Sequence, residues 1–267
     1  MNVLLDIIRN KKTEITDRKK KFPLSRLEDM PAFKSKTRSL KDVLTYPEGP
    51  GIIAEFKRRS PSNPTINLHA DILAVCKGYV QSGAVALSVL TDEKYFGGKP
   101  DDLLLVREAV QVPVLRKDFI VDEYQLYEAR AFGADAVLLI AAALSPDRLK
   151  ALVKLAHQLG LETVLEVHSR EEWERYGDSE ADVVGVNNRD LKTLKTDVRI
   201  SIELAAHFPN EVVRISESGI RDVATAVDLF GRGYCGFLIG EFFMEQPDPA
   251  FACGNFIKAM KNQQHVA

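Results

Sequence analysis

Residues 51–61 place a carboxylate and an ammonium two positions apart at the end of an apolar run: Gly51-Ile-Ile-Ala-Glu55-Phe56-Lys57-Arg58-Arg59-Ser60-Pro61. Side chains alternate faces along a strand, so Glu55 and Lys57 share one face and Phe56 takes the other. Charges on a buried strand face are costly unless they are paired or used. Taken alone, the pair reads as a structural ion pair, but similar strand ends recur. Lys117 ends Pro113-Val-Leu-Arg-Lys117 on the face of Leu115. Among apolar neighbours and other cations its pKa is expected to be lowered. That suits a general acid near neutral pH or a Schiff-base nucleophile. Glu166 ends Thr163-Val-Leu-Glu166, the place of a general base, and His168 follows two residues on. In Val183-Val-Gly-Val-Asn187-Asn188-Arg189, Asn187 offers a neutral donor and acceptor. Arg189 offers a planar cation for a carboxylate or an aromatic ring.

Two further strand ends turn through glycine: Ile215-Ser-Glu-Ser218-Gly219 and Phe237-Leu-Ile-Gly240-Glu241. Such turns present backbone N–H groups, and at Ser218 a hydroxyl, to an anion. Ser60 supplies a possible third contact. No His, Asp or Cys cluster has metal-ligand spacing, and no nucleotide fingerprint points to a redox cofactor. The pattern predicts cofactor-free acid–base chemistry on a phosphorylated small molecule.

The elements that must position these groups alternate regularly. Strand-length apolar runs fall at 51–56, 84–89, 112–116, 135–140, 162–166, 182–187, 212–216 and 235–239. Helical periodicity lies between them, at 71–81, 102–110, 122–132, 146–159, 170–176, 200–207 and 222–230, with a last helix over 247–262. Helix ends are marked by Gly83, Gly133, Gly160 and Gly233, as left-handed C-caps favour. Continuous apolar strands such as Ala136-Val-Leu-Leu-Ile140 suit a parallel sheet covered on both faces. Eight units of about 23 residues match a (βα)8 TIM barrel. The alternative, an open doubly wound sheet, is weakened by the missing Gly-x-Gly-x-x-Gly. In a barrel, Glu55, Lys57, Lys117, Glu166, Asn187 and Ser218 share one rim. Residues 1–50 stand outside the repeat and are expected to form helices packed on the barrel and over its mouth, with residues 51–267 forming the barrel.

The 267 residues carry 45% hydrophobic side chains and a net charge of −2. That balance argues against a nucleic-acid surface, which needs clustered positive charge. No run approaches 18 apolar residues, so no membrane span is expected. Three scattered cysteines, Cys76, Cys235 and Cys253, and no secretory leader suggest the cytoplasm. No obligate protein partner is evident, and a monomer is expected.

The chain resembles the indole-3-glycerol phosphate synthase family of tryptophan biosynthesis. Ile53-Ala-Glu-Phe-Lys-Arg-Arg-Ser-Pro-Ser62, Leu90-Thr-Asp-Glu-Lys-Tyr-Phe-Gly-Gly98, Pro113-Val-Leu-Arg-Lys-Asp-Phe119, Leu165-Glu-Val-His168, Gly185-Val-Asn-Asn-Arg-Asp-Leu191, Ser216-Glu-Ser-Gly-Ile220 and Phe237-Leu-Ile-Gly240 carry the likeness. The family closes an indole ring on 1-(2-carboxyphenylamino)-1-deoxyribulose 5-phosphate, with loss of CO₂ and water. The resemblance implies Lys117 as the acid at the ketone oxygen, Lys57 beside the substrate carboxylate and Glu166 as base. Glu55 and Asn187 would orient them. Ser60, Ser218, Gly219, Gly240 and the Glu241 N–H would hold the phosphate. Phe96, Phe119, Leu138 and Arg189 would enclose the anthranilate ring, with Pro61 and Leu191 nearby. Two places depart from the family pattern: Asn63-Pro64 where a glycine is usual, and Glu241 where a serine is often found. The rivals are another phosphate-binding barrel enzyme, such as the preceding isomerase or a Schiff-base aldolase, and a non-catalytic phosphate-binding barrel.

Overall fold

The computed structural model describes residues 3–45, 49–190 and 193–264. Three helices precede the first strand: α1 (Val3–Lys21), α2 (Leu24–Glu28) and α3 (Leu40–Thr45). The repeat then runs β1 (Gly51–Phe56), α4 (Ile72–Gln81), β2 (Ala86–Leu90), α5 (Glu93–Phe96), α6 (Pro100–Ala109), β3 (Val114–Lys117), α7 (Tyr124–Ala131), β4 (Ala136–Ile140) and α8 (Pro146–Gln158). It continues β5 (Glu162–Val167), α9 (Arg170–Tyr176), β6 (Val183–Asn187), α10 (Arg199–Ala205), β7 (Arg214–Glu217), α11 (Val223–Gly231), β8 (Gly236–Ile239), α12 (Glu241–Met244) and α13 (Pro249–Gln264). All eight strands pair in parallel in sequence order, and β1 closes on β8. The closed sheet rules out the open doubly wound alternative.

Six of the eight strands begin one or two residues later than the apolar runs suggested, and four end one residue later. After Gly83, Gly133, Gly160 and Gly233 the chain first turns. Ala84 donates its N–H back to Tyr79 of α4, and ladder pairing starts only near Ala86. Side-chain caps open α4, α8, α9 and α11. Asp71, Ser145, Ser169 and Asp222 each accept the backbone N–H three residues on, each worth about 1 kcal/mol. The short helices α2, α5 and α12 lack a periodic stripe and were not foreseen.

Alternation sorts the strand residues into two layers. Ile52, Ala54 and Phe56 face the helices; Ile53, Leu115, Val164, Ile215 and Leu238 fill the barrel. The segment before β1 meets this interior at both ends. Leu44 of α3 lies against the β1–β8 seam at the N-terminal end of the strands, where a Cβ on Gly236 would approach its Cδ2 to 2.6 Å. Leu4 and Ile7 of α1 join the interior at the opposite end, beside Phe119, Leu138 and Ile140.

An ionic node seats α1. Lys11 is 1% exposed and its ammonium lies 2.9 Å from both Asp92 and Asp118 and 3.0 Å from Glu14. Burial opposes the charge, but Asp118, Asp92 and Glu14 together raise the lysine's pKa above its ordinary value. Asp92 caps α5, and Asp118 follows Lys117 and is also paired with Arg116 at 3.0 Å. The helix that covers the mouth is thus tied to the ends of two strands. Among the described residues, no helix is long and apolar enough to cross a membrane.

Candidate active site

The strand C-termini surround a cavity of about 320 Å³. Its walls include Glu55, Lys57, Ser60, Pro61, Phe96, Lys117, Phe119, Leu138, Glu166, Asn187, Arg189, Ser218, Gly219, Gly240 and Glu241. Every residue singled out from the sequence is brought to this one space except His168, which is not among its walls, and Leu191, which lies outside the described residues.

Lys117 is the centre of charge. Its ammonium lies 3.2 Å from Glu166 and is bonded directly to Glu217. The expectation of a lowered lysine pKa is wrong. Burial does push it down, but the charges of Glu217, Glu166 and Glu55 outweigh burial and raise it. The neighbours are carboxylates rather than the cations assumed from sequence, so Lys117 is an ammonium at neutral pH. Glu166 titrates below the ordinary glutamate range. Burial opposes ionisation there, but Lys117, His168 and a hydrogen bond from Asn187 overcome it. Glu217 goes the other way. Burial, reinforced by repulsion from Glu166 and Glu55, pushes it up to about 7 against the pull of Lys117. Two carboxyls sharing one ammonium are thereby split into a ready base and a group that holds a proton near neutrality.

Glu217 escaped the sequence reading, although the signal was present: it shares a face with Ile215 and is the last residue of β7. The Ser218-Gly219 turn beside it carries the stronger local pattern.

Across the cavity Lys57 pairs with Glu55 at 3.0 Å, and Ser88 donates to Glu55 at 3.1 Å. Glu55 also explains Gly240. A Cβ there would stand 2.7 Å from its Oε1, so the strand end must be bare for the carboxylate to lie across it. The Ser218-Gly219 turn is left-handed at both residues, with φ of 67° and 77°. It is braced from behind by Asn188, whose amide donates to Ser216 Oγ and to the Ser218 carbonyl, each at 3.0 Å. Asn188 is therefore the structural member of the Asn187-Asn188 pair. Asn187 faces the cavity and accepts the Arg189 N–H at 3.0 Å.

Arg189 spans three loops. It donates to Ser62 Oγ at 2.8 Å and to the Leu194 carbonyl at 3.1 Å, and reaches Glu241 at 3.5 Å. The Glu241 carboxylate thus has a cation of its own. The Asn63-Pro64 departure sits beside a closed turn, in which Ser60 and Asn63 exchange backbone bonds of 2.8 and 3.1 Å. Phe96 and Phe119 pack with ring centroids 6.0 Å apart and form an aromatic wall with Leu138.

A closed (βα)8 barrel with paired lysines and carboxylates at its C-terminal rim, an aromatic wall and two glycine turns is the framework of an acid–base barrel enzyme. The chain matches the family model of indole-3-glycerol phosphate synthase over residues 4–256. It is 46% identical over 260 residues to the indole-3-glycerol phosphate synthase of Bacteroides thetaiotaomicron, covering 97% of this chain and 99% of the relative. It is 43% identical over 248 residues to that of Syntrophobacter fumaroxidans, covering 92% and 94%. Thiamine phosphate pyrophosphorylase from Pyrococcus furiosus superposes with a TM-score of 0.61 at 14% identity, covering 84% of this chain and 98% of that one; that likeness concerns the fold. The chain belongs to the indole-3-glycerol phosphate synthase family, the decarboxylating lyases of tryptophan biosynthesis.

Proposed function

We propose that the rim carries out the family's ring closure, decarboxylation and dehydration of 1-(2-carboxyphenylamino)-1-deoxyribulose 5-phosphate through its own side chains. The observation that carries the assignment is the Lys117 ammonium held between Glu166 and Glu217 in the cavity. Ring closure makes an alkoxide from the ketone, and a proton delivered as the aromatic carbon attacks removes that charge. Lys117 is protonated and donates it. Loss of CO₂ then restores the aromatic ring. Dehydration needs a proton for the leaving hydroxyl, assigned to Lys57, and a base for the ring proton, assigned to ionised Glu166. Glu217, titrating near 7, returns a proton to Lys117 between turnovers. Glu55 and Asn187 hold these groups in place. The Ser218-Gly219 and Gly240-Glu241 turns, with Ser60, receive the phosphate. That anchor spends remote binding energy on alignment at the reacting carbons. Phe96, Phe119, Leu138, Pro61 and Arg189 enclose the anthranilate ring.

The ammonium state of Lys117 also favours this chemistry over the aldolase alternative, since an imine forms only from the free amine. Three free cysteines, two of them buried, fit a cytoplasmic setting. The test is indole formation by purified protein in EDTA. Lys117→Met should lower kcat at least 10³-fold with substrate binding retained within tenfold. Unchanged turnover in Lys117→Met would remove the general-acid assignment, and an imine trapped at Lys117 by borohydride would replace it.

A further inference from the structure

Behind Glu166, on the side away from the cavity, lies a histidine for which the chemistry above has no use. Residue parity puts His168 on the face of Val164 and Glu166, one position past the end of β5. Its ring is nearly buried, with 12% of the side chain exposed, and Nε2 lies 3.4 Å from Oε1 of Glu166. Glu166 lines the cavity and His168 does not. The other ring nitrogen is gripped from α9: Nδ1 lies 3.3 Å from Oε2 of Glu172, and the same oxygen accepts the His168 backbone N–H at 2.7 Å. Ser169 caps α9, so Glu172 is held one turn into a fixed helix. Nε2 itself is buried and makes no hydrogen bond in this arrangement; Glu166 is the acceptor it faces.

The two oxygens of Glu166 therefore have different partners. Oε2 meets Lys117 at 3.2 Å and Oε1 meets His168. The charged groups around the imidazole are Glu166 on its own strand, Glu172 on α9 and Glu217 on β7. Lys117 lies beyond Glu166. Three carboxyl groups around the ring favour an imidazolium, with one N–H for each of the two nearest acceptors. Burial works against that charge, and Glu172, Glu166 and Glu217 outweigh it, so the ring titrates above its ordinary value.

We propose that His168 is a positioning residue that acts through Glu166. Clamped by Glu172, it turns Nε2–H onto the rear oxygen of Glu166 and keeps that carboxylate ionised with its front oxygen on Lys117. The proposal rests on Glu166 being the base of the reaction. A purely structural histidine at the start of α9 would support folding but would not set the protonation of a cavity residue.

Two measurements separate these roles. In the first, the full-length protein labelled with ¹⁵N-histidine is titrated by NMR, with His168 identified by its loss in His168→Gln. Its midpoint should fall by about one pH unit in Glu172→Gln and again in Glu166→Gln, because each substitution removes an opposite charge. In the second, kcat is followed against pH. His168→Gln should raise the acidic midpoint by about one unit, with KM within twofold, and keep most of the plateau, since its amide still donates to Glu166. His168→Phe, which cannot donate, should lose the plateau as well. Glu172→Gln, outside the cavity, should shift the limb in the same direction. If the His168 midpoint ignores Glu166, or if His168→Gln and wild type share one pH profile, the proposal is overturned while Glu166 remains the base. If Glu166→Gln turns over normally, the base assignment fails, and the proposal with it.

Discussion

The most informative single residue is Glu217, because its environment decides a property that its identity does not. An isolated glutamate is ionised at pH 7, but this one sits buried beside Glu166 and Glu55 with one ammonium to share, and is pushed up to about 7. The consequence for stability has a definite sign. A carboxyl whose folded pKa is raised binds its proton more tightly in the folded state. Its contribution is therefore fully present below about pH 4.5 and is lost as the pH rises through about 7. Glu217→Gln should accordingly gain stability relative to wild type as the pH rises from 5 to 8. A few °C of differential melting temperature is expected, read by calorimetry at the two pH values, and equal shifts at both would contradict it. Activity should fall in the same variant, since Lys117 loses a partner. Ser218 offers a second test at this scale. Its φ of 67° is one that glycine adopts freely, so Ser218→Gly keeps the turn and removes only the hydroxyl. KM should rise about tenfold, with kcat changed less than threefold; the reverse split would take Ser218 away from the phosphate.

Among the elements, α1 is held over the mouth by charge as well as by apolar packing. Lys11 joins it to Asp92 and Asp118, and these residues in turn cap the helix carrying Phe96 and follow the strand end carrying Lys117. Lys11→Met is close in volume but leaves two buried carboxylates short of a cation. Removing one partner of a buried ion pair costs about 3–5 kcal/mol, so thermal unfolding should begin at least 6 °C lower. kcat/KM should drop in the surviving folded protein, because both Phe96 and Lys117 hang from the broken node. A melting temperature within 2 °C of wild type would show that the node contributes nothing net.

At the scale of the whole molecule, the segment before β1 closes the barrel at both ends, and the two closures do different work. Leu44 seals the end where strands begin, far from the rim, and conservation of volume there serves stability. Ile7 closes the end where strands finish and lines the cavity. Leu44→Ala should cost about 2–5 kcal/mol with KM unchanged. Ile7→Ala should raise KM several-fold, because an apolar wall of the substrate space is lost. Equal effects on KM would mean that the two ends are not functionally distinct. Urea unfolding and indole formation on the same two variants decide it.

Much of this was legible in the residues. Strand-length apolar runs, helical periodicity and glycine C-caps are local rules, so strand count, order and the (βα)8 class followed from sequence. Because side chains alternate along a strand, so did the convergence of Glu55, Lys57, Lys117, Glu166 and Asn187. The short helices α2, α5 and α12 were not legible, because four or five residues carry no periodic stripe. The direction of the Lys117 shift could not be read either. Which charges stand beside an ammonium depends on how strands three, five and seven meet across the barrel, more than forty residues apart in the chain. The sequence by itself determined which groups reach the rim, because facing is set by neighbours one and two residues away. Only the tertiary structure decided what those groups are worth, because protonation is set by burial and by the nearest charge in space.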